Sequence, residues 1–286
     1  MSFNWQTFKT RTLTAIVFVV VMLAGLFWNR WSFFILFSII HFGCWIEYQR
    51  LVSQFNPDYK SITSFHRYAV MVAGWCLLLY ATHDELHIAG LRLHEAGWWL
   101  GLVAIFLLPI MELLLAKNIL LKNIGYSLAG LLYISLSLAL LIDLRNRWNE
   151  EQYQLSMVIP LLIIFSLWIN DTMAYIVGSV IGKTPLSKVS PKKTWEGTVG
   201  GIILSIIVIG LIAYTTHYLA PVHAMIMAGL AAVSGTYGDL FESKLKRMAG
   251  VKDSGHIMPG HGGFLDRFDS LLFAIVPVWI YAVIAF

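Results

Sequence analysis

Charge is what this sequence has least of. Asp, Glu, Lys and Arg make up 13% of its 286 residues, about half the share found in soluble domains, and the shortage excludes a chain solvated by water on all sides. Cysteine is nearly absent. Cys44 and Cys76 both fall inside apolar stretches, where a thiol behaves as a small hydrophobe, so the sequence offers neither a disulfide framework nor a cysteine-ligated metal. A basic tail is missing too: the net charge of +4 is spread between apolar runs, which argues against nucleic acid as a partner. Lys9 and Arg11 precede an apolar run, but no small-residue cleavage site follows. The run therefore reads as a retained first helix rather than a leader.

What is present is apolar residues in blocks, 58% of the chain. A bilayer core takes about 20 residues of helix, with a range of about 17 to 25. Nine blocks approach that length: 12–28, 31–50, 67–81, 98–116, 124–142, 155–181, 197–218, 222–241 and 268–286. The third is short, and the first two nearly adjoin, which predicts a tight helical hairpin or a re-entrant pair. The expected fold is therefore all-α, a polytopic integral membrane protein of about nine transmembrane helices. Basic residues accumulate on the cytoplasmic side, and nine spans from a cytoplasmic N-terminus leave only Arg30, Arg92, Arg145 and Arg147, of 20 Lys and Arg, on the opposite side. The C-terminus is then also opposite. Three regions follow: an N-terminal bundle (1–96), a middle bundle (97–182) and a C-terminal catalytic region (183–286).

Chemistry concentrates in two polar segments. The first opens with Asp171, about ten residues from the cytoplasmic end of its helix and so about 15 Å deep. A carboxylate there needs a polar cavity, a cation or a partner on a neighbouring helix. Gly178 and Gly182 have the small-xxx-small spacing of close helix packing. The loop that follows carries Lys188, Ser190, Lys192, Lys193 and Thr194 before a helix N-terminus. Ammoniums, hydroxyls and free N–H groups suit phosphate, while a topogenic loop touching only lipid headgroups has the same composition.

The second segment begins at Gly238. If the eighth helix continues through it, Asp239, Glu242, Ser243 and Lys246 share a face, and Arg247 follows. Lys252, Asp253 and a loop with Gly255, Gly260, Gly262, Gly263 and Pro259 come next, then Asp266, Arg267 and Asp269 at the start of the last helix. Glycine and proline at that density imply tight turns and close backbone approach. Carboxylates at the helix start are favoured by the dipole and placed to hold a hard cation. His256 and His261 raise zinc, but with carboxylates dominant and cysteine ligands missing, magnesium is the better match. The histidines serve equally well as braces of the glycine loop.

The runs Ser243-Lys244-Leu245-Lys246-Arg247, Lys252-Asp253-Ser254-Gly255 and Pro259-Gly260-His261-Gly262-Gly263-Phe264-Leu265-Asp266-Arg267-Phe268-Asp269 resemble the signature of phosphatidate cytidylyltransferases. The blocks at 171–183 and 190–197 resemble the family in the same order; the N-terminal spans match only in hydropathy and length. The resemblance implies a dimeric enzyme of the bacterial inner membrane, with its site at the cytoplasmic face, that makes CDP-diacylglycerol from CTP and phosphatidic acid. It also implies magnesium, with potassium beside it. Carried onto this sequence, the metal positions are Asp239 and Asp266, and the catalytic group is these two with Lys246 and Arg267. The substrate-binding group is Asp171, Ser190, Lys192, Lys193, Thr194, Ser243, Arg247, Lys252, Asp253, His261 and Asp269.

The chemistry is self-consistent. A phosphate monoester, with a second pKa of about 6, is already largely ionised at neutral pH and attacks without a general base, so the missing nucleophilic triad is expected. The enzyme's work is to position two polyanions and balance their charge. A transporter also places acids in the membrane, but its expected inverted repeat is not seen. A CTP-using enzyme with another lipid acceptor, such as an isoprenoid alcohol, is the nearer alternative, and a scaffold would have no need of buried carboxylates.

Overall fold

A computed structural model of the chain describes residues 5–116, 120–255 and 262–286. Among these residues it is helical almost throughout, with ten α-helices: α1 (Trp5–Phe27), α2 (Arg30–Phe55), α3 (Ser64–Tyr80), α4 (Leu93–Leu115), α5 (Leu121–Gly130), α6 (Ser137–Asn146), α7 (Tyr153–Ile181), α8 (Trp195–Thr216), α9 (Pro221–Met248) and α10 (Leu265–Ala285). A π-helical turn, Leu131–Leu136, joins α5 and α6 into one continuous segment, Leu121–Asn146. Among the described residues, seven helices are long and apolar enough to cross a membrane. α3, with 17 residues, stands at the lower end of the range that spans a bilayer, and α1 has 23 residues. One feature lies outside the all-α expectation. His87–Ile88 (β1) pairs antiparallel with Leu91–Arg92 (β2), turning through Ala89 and Gly90 with φ of 49° and 84°, the left-handed pair that a two-residue hairpin requires.

The chain forms two compact units. The first comprises residues 1–142 and 248–267. In it α1 and α2 are joined by only Trp28 and Asn29, and the Asn29 side chain caps α2 by accepting the Ser32 N–H at 2.8 Å; this is the tight hairpin. The core is Phe33, Phe37, Trp45, Ile134, Leu138 and Leu141. Several polar groups inside it are paired, which offsets the cost of burying them. The Ser135 hydroxyl on the π turn meets the Trp45 indole N–H at 2.8 Å and His41 Nε2 at 2.9 Å. His66 bridges Glu112 (3.0 Å) and Ser127 (2.8 Å).

The second unit comprises residues 143–247 and 268–286. Its buried side chains include Ile159, Ile163, Leu167, Met227, Ala231 and Ile275. α7 and α8 run close together because glycine faces glycine: a Cβ on Gly197 would stand 2.9 Å from the Gly178 Cα and 2.7 Å from the Ala174 carbonyl oxygen. The small-residue spacing read in the sequence therefore serves packing, as expected. At α10, the Trp279 indole N–H donates to Asp143 at 2.7 Å, and Arg147 holds the same carboxylate.

Candidate active site

The loop between α7 and α8 folds back on itself and so fixes its lysines. The Leu186 N–H donates to the Lys193 carbonyl at 2.8 Å, the Lys193 N–H to the Ser190 carbonyl at 3.1 Å, and the Trp195 N–H to the Thr184 carbonyl at 2.9 Å. Glu196 ties the other end. Its carboxylate accepts the Thr184 hydroxyl at 2.8 Å and the N–H groups of Lys183 and Thr184 at 3.2 Å. The Thr194 hydroxyl accepts the Gly197 N–H at 3.2 Å and caps α8, the role its residue type favours.

This loop closes over a cavity of about 380 Å³ in the second unit, with Asp171, Lys192, Lys193, Thr194, Thr236 and Asp239 among its lining. Lys193 Nζ lies 2.8 Å from Asp239 Oδ2, and the Ser243 hydroxyl is 3.4 Å from the other oxygen of Asp239. α9 does continue through this segment to Met248. One turn further on, Lys246 pairs with the buried Glu242. Asp171 is exposed into the cavity and feels both the Lys193 ammonium and the Asp239 carboxylate. Asp269, on α10, is buried; it accepts its neighbour's N–H, from Ser270, at 2.6 Å and faces the charges of Asp239, Lys246 and Lys193. Three carboxylates and two lysines thus share one electrostatic environment. The carboxylates outnumber the ammoniums by one charge, so the set is short of positive charge and suits an added cation.

The other predicted residues distribute as follows. Ser190 belongs to the same loop and is half-buried, and Arg247 is exposed on α9. Lys252, Asp253, Asp266 and Arg267 belong to the first unit, where Lys252, Asp253 and Arg267 are exposed. Asp266 Oδ2 accepts the Ser254 N–H and the Gly263 N–H, each at 2.8 Å, and the Ser254 hydroxyl at 2.9 Å. His261, like His256 and Lys117, lies outside the described residues. Reading the sequence missed the cavity residues Asn170, Ser179 and Thr236, for which it carries no signal beyond helical register with Asp171 and Asp239. It also missed Glu47, whose signal was available: an ionisable residue inside an apolar block.

Among the described residues, no three His, Cys, Asp or Glu side chains converge as a ready-made metal centre. Magnesium does not ask for one, since it takes one or two carboxylates and completes its shell with substrate phosphate and water. Asp239, about a third exposed beside the cavity, is a donor of that kind, and the hard oxygen chemistry of its surroundings fits such an ion.

The sequence matches the cytidylyltransferase family over residues 9–285. A phosphatidate cytidylyltransferase of Pseudomonas aeruginosa is 33% identical over 280 residues, 95% of each chain. One of Staphylococcus saprophyticus is 32% identical over 276 residues, 93% of this chain and 96% of the relative. One of Bacillus subtilis is 33% identical over 203 residues, 70% and 72% of the two chains.

Proposed function

This chain belongs to the cytidylyltransferase family, and from that premise we propose that the cavity bearing Asp171, Lys193 and Asp239 is its reaction site. The protein is a multi-pass membrane transferase that converts CTP and phosphatidate to CDP-diacylglycerol and pyrophosphate in phospholipid synthesis. The observation that carries the site assignment is the 2.8 Å contact between Lys193 and Asp239, which joins a phosphate-suited loop to an acid fit for a hard cation.

The phosphatidate phosphate is the nucleophile and attacks the α-phosphorus of CTP, breaking its bond to the bridging oxygen as pyrophosphate leaves. Lys192 and Lys193 hold the triphosphate, together with the Thr194 and Ser190 hydroxyls. Lys246, Arg247, Lys252 and Arg267 balance the charge of the lipid phosphate and the departing pyrophosphate, with Ser243 donating beside them. Asp171 and Asp269 act beside the lysines of the cavity, and Asp253 and His261 complete the substrate-binding set. Asp239 would hold magnesium beside the cavity, with potassium as a second cation, and Asp266 is the other carboxylate proposed as a metal ligand. When bound, that ion would neutralise the triphosphate and polarise the α-phosphoryl group.

The same proposal covers topology and assembly. The distribution of the 20 basic residues supports nine crossings, a cytoplasmic N-terminus and an external C-terminus, with residues 183–286 as the catalytic region at the cytoplasmic face of a bacterial inner membrane. A homodimer belongs to it as well. A C-terminal reporter that is active only in the cytoplasm contradicts the topology, and a monomeric mass in native membranes contradicts the dimer.

The test of function is direct. Purified protein, labelled CTP, phosphatidic acid and magnesium should yield lipid-soluble cytidine, and none should form when an isoprenoid alcohol replaces phosphatidic acid. Label appearing only with the alcohol would assign the reaction to a different acceptor.

A further inference from the structure

The first spans are where reading the sequence found no chemistry, yet α2 carries a carboxylate buried to 3% exposure, that of Glu47. An acid inside an apolar span is costly unless donors surround it. Here the donors come from the signature segment 217 or so residues away. Glu47 Oε1 accepts the Phe264 N–H at 3.0 Å, and Oε2 accepts the Leu265 N–H at 2.8 Å and the Ser254 hydroxyl at 2.7 Å. Phe264 and Leu265 stand at the N-terminus of α10, where backbone N–H groups lack helical partners and the helix dipole favours an anion.

The next residue is Asp266. Its Oδ2 shares the Ser254 hydroxyl with Glu47, at 2.9 Å, and its own N–H points at the same hydroxyl at 3.3 Å. The hydroxyl thus lies between two carboxylates, one from α2 and one from α10. Two glycines of the signature owe their identity to this arrangement. A Cβ on Gly255 or on Gly263 would overlap the Glu47 carboxylate, and one on Gly43, a turn earlier on α2, would overlap the Phe264 ring. The backbone of the signature segment is moulded around Glu47.

We propose that Glu47 is a positioning residue of the transfer reaction: through Ser254 and the first N–H groups of α10 it sets the orientation of the Asp266 carboxylate. The inference rests on the reading that Asp266 serves the reaction site. In Glu47→Gln one of the two acceptor oxygens becomes an amide NH2, so the Ser254 hydroxyl or an α10 N–H loses its acceptor, and Asp266, still held by the Ser254 and Gly263 N–H groups, loses part of its fixed orientation while remaining chemically intact.

The test compares full-length Glu47→Gln, Ser254→Ala and Asp266→Asn with the wild type in detergent. Two quantities are read: the magnesium concentration for half-maximal rate, and amide hydrogen exchange of residues 262–267 in EDTA. Glu47→Gln and Ser254→Ala should each raise the magnesium requirement about tenfold and speed exchange in that segment about tenfold, with the CTP KM unchanged within twofold. A role confined to holding the fold would lower the active fraction and leave the magnesium requirement where it was, and that result overturns the proposal. Ser254→Ala keeps the buried acid in place, so the question is answered even if Glu47→Gln fails to fold. Full activity in Asp266→Asn removes the underlying reading of Asp266. An inactive Asp266→Asn beside a Glu47→Gln of normal magnesium response and exchange overturns the positioning role alone.

Discussion

Replacing Lys193 by alanine removes an ammonium that stands 2.8 Å from Asp239 at the cavity. Two effects oppose each other. With CTP bound, the lysine donates to a phosphate oxygen, and a charge-assisted hydrogen bond of that type contributes about 1.5–3 kcal/mol. Without substrate it is engaged by Asp239. Both side chains are about a third exposed, so that pair contributes only about 0.2–1 kcal/mol, which is given up when phosphate takes the ammonium. The net loss in Lys193→Ala is then about 1–2 kcal/mol, or about a 5- to 30-fold fall in kcat/KM. The assay is lipid-extractable label from CTP in mixed micelles, with CTP varied at saturating phosphatidate. The fall should lie mainly in KM, and the thermal midpoint should stay within a few degrees, since an exposed pair holds little of the fold. Lys193→Arg should be intermediate, because a planar fork replaces a point charge. A folded Lys193→Ala with kcat/KM within twofold of wild type refutes the placement of this loop in the site.

Asp239→Asn and Asp266→Asn should each lower turnover at least about a hundredfold in protein that still inserts into membranes; full activity in either purified variant removes that carboxylate from the mechanism. Chelation by EDTA should abolish transfer and added magnesium should restore it, and activity that persists in EDTA would dismiss the metal. Lys192→Ala, at a more exposed position, should lower kcat/KM more mildly, by about 3- to 10-fold, and an unchanged value would remove it from the triphosphate site. Gly197→Leu must push α7 and α8 apart, since even a Cβ would stand 2.7 Å from the Ala174 carbonyl oxygen; overpacking of that kind costs about 1–3 kcal/mol. Its thermal midpoint should drop by several degrees, and an unshifted midpoint would contradict the close approach.

The membrane class, the helical course of the chain and the kind of chemistry were legible without coordinates. Hydropathy and composition sum over neighbours along the chain, and a solvent that dissolves no backbone leaves helices as the economical answer for such a chain. The continuation of α9 past Asp239 was conditional on helical register and is seen in the structure, as is the packing role of Gly178. The hairpin of β1 and β2 escaped notice because two-residue strands have no period to detect. α3, short in hydropathy, is a helix of 17 residues, at the lower end of what a bilayer takes.

The sequence by itself determined the inventory: which acids, lysines and glycines stand ready, and that oxygen ligands for a hard cation outnumber any others. Only the tertiary structure decided which of them meet. Asp171, Lys193 and Asp239 come from three separate stretches yet share one cavity, and Glu47 reaches Ser254, Phe264 and Leu265 from the opposite end of the chain. The reason is physical. Helices that are apolar on every side carry no periodicity to say which face turns inward, so their rotation is set by close packing and by the few polar groups that must find partners away from water.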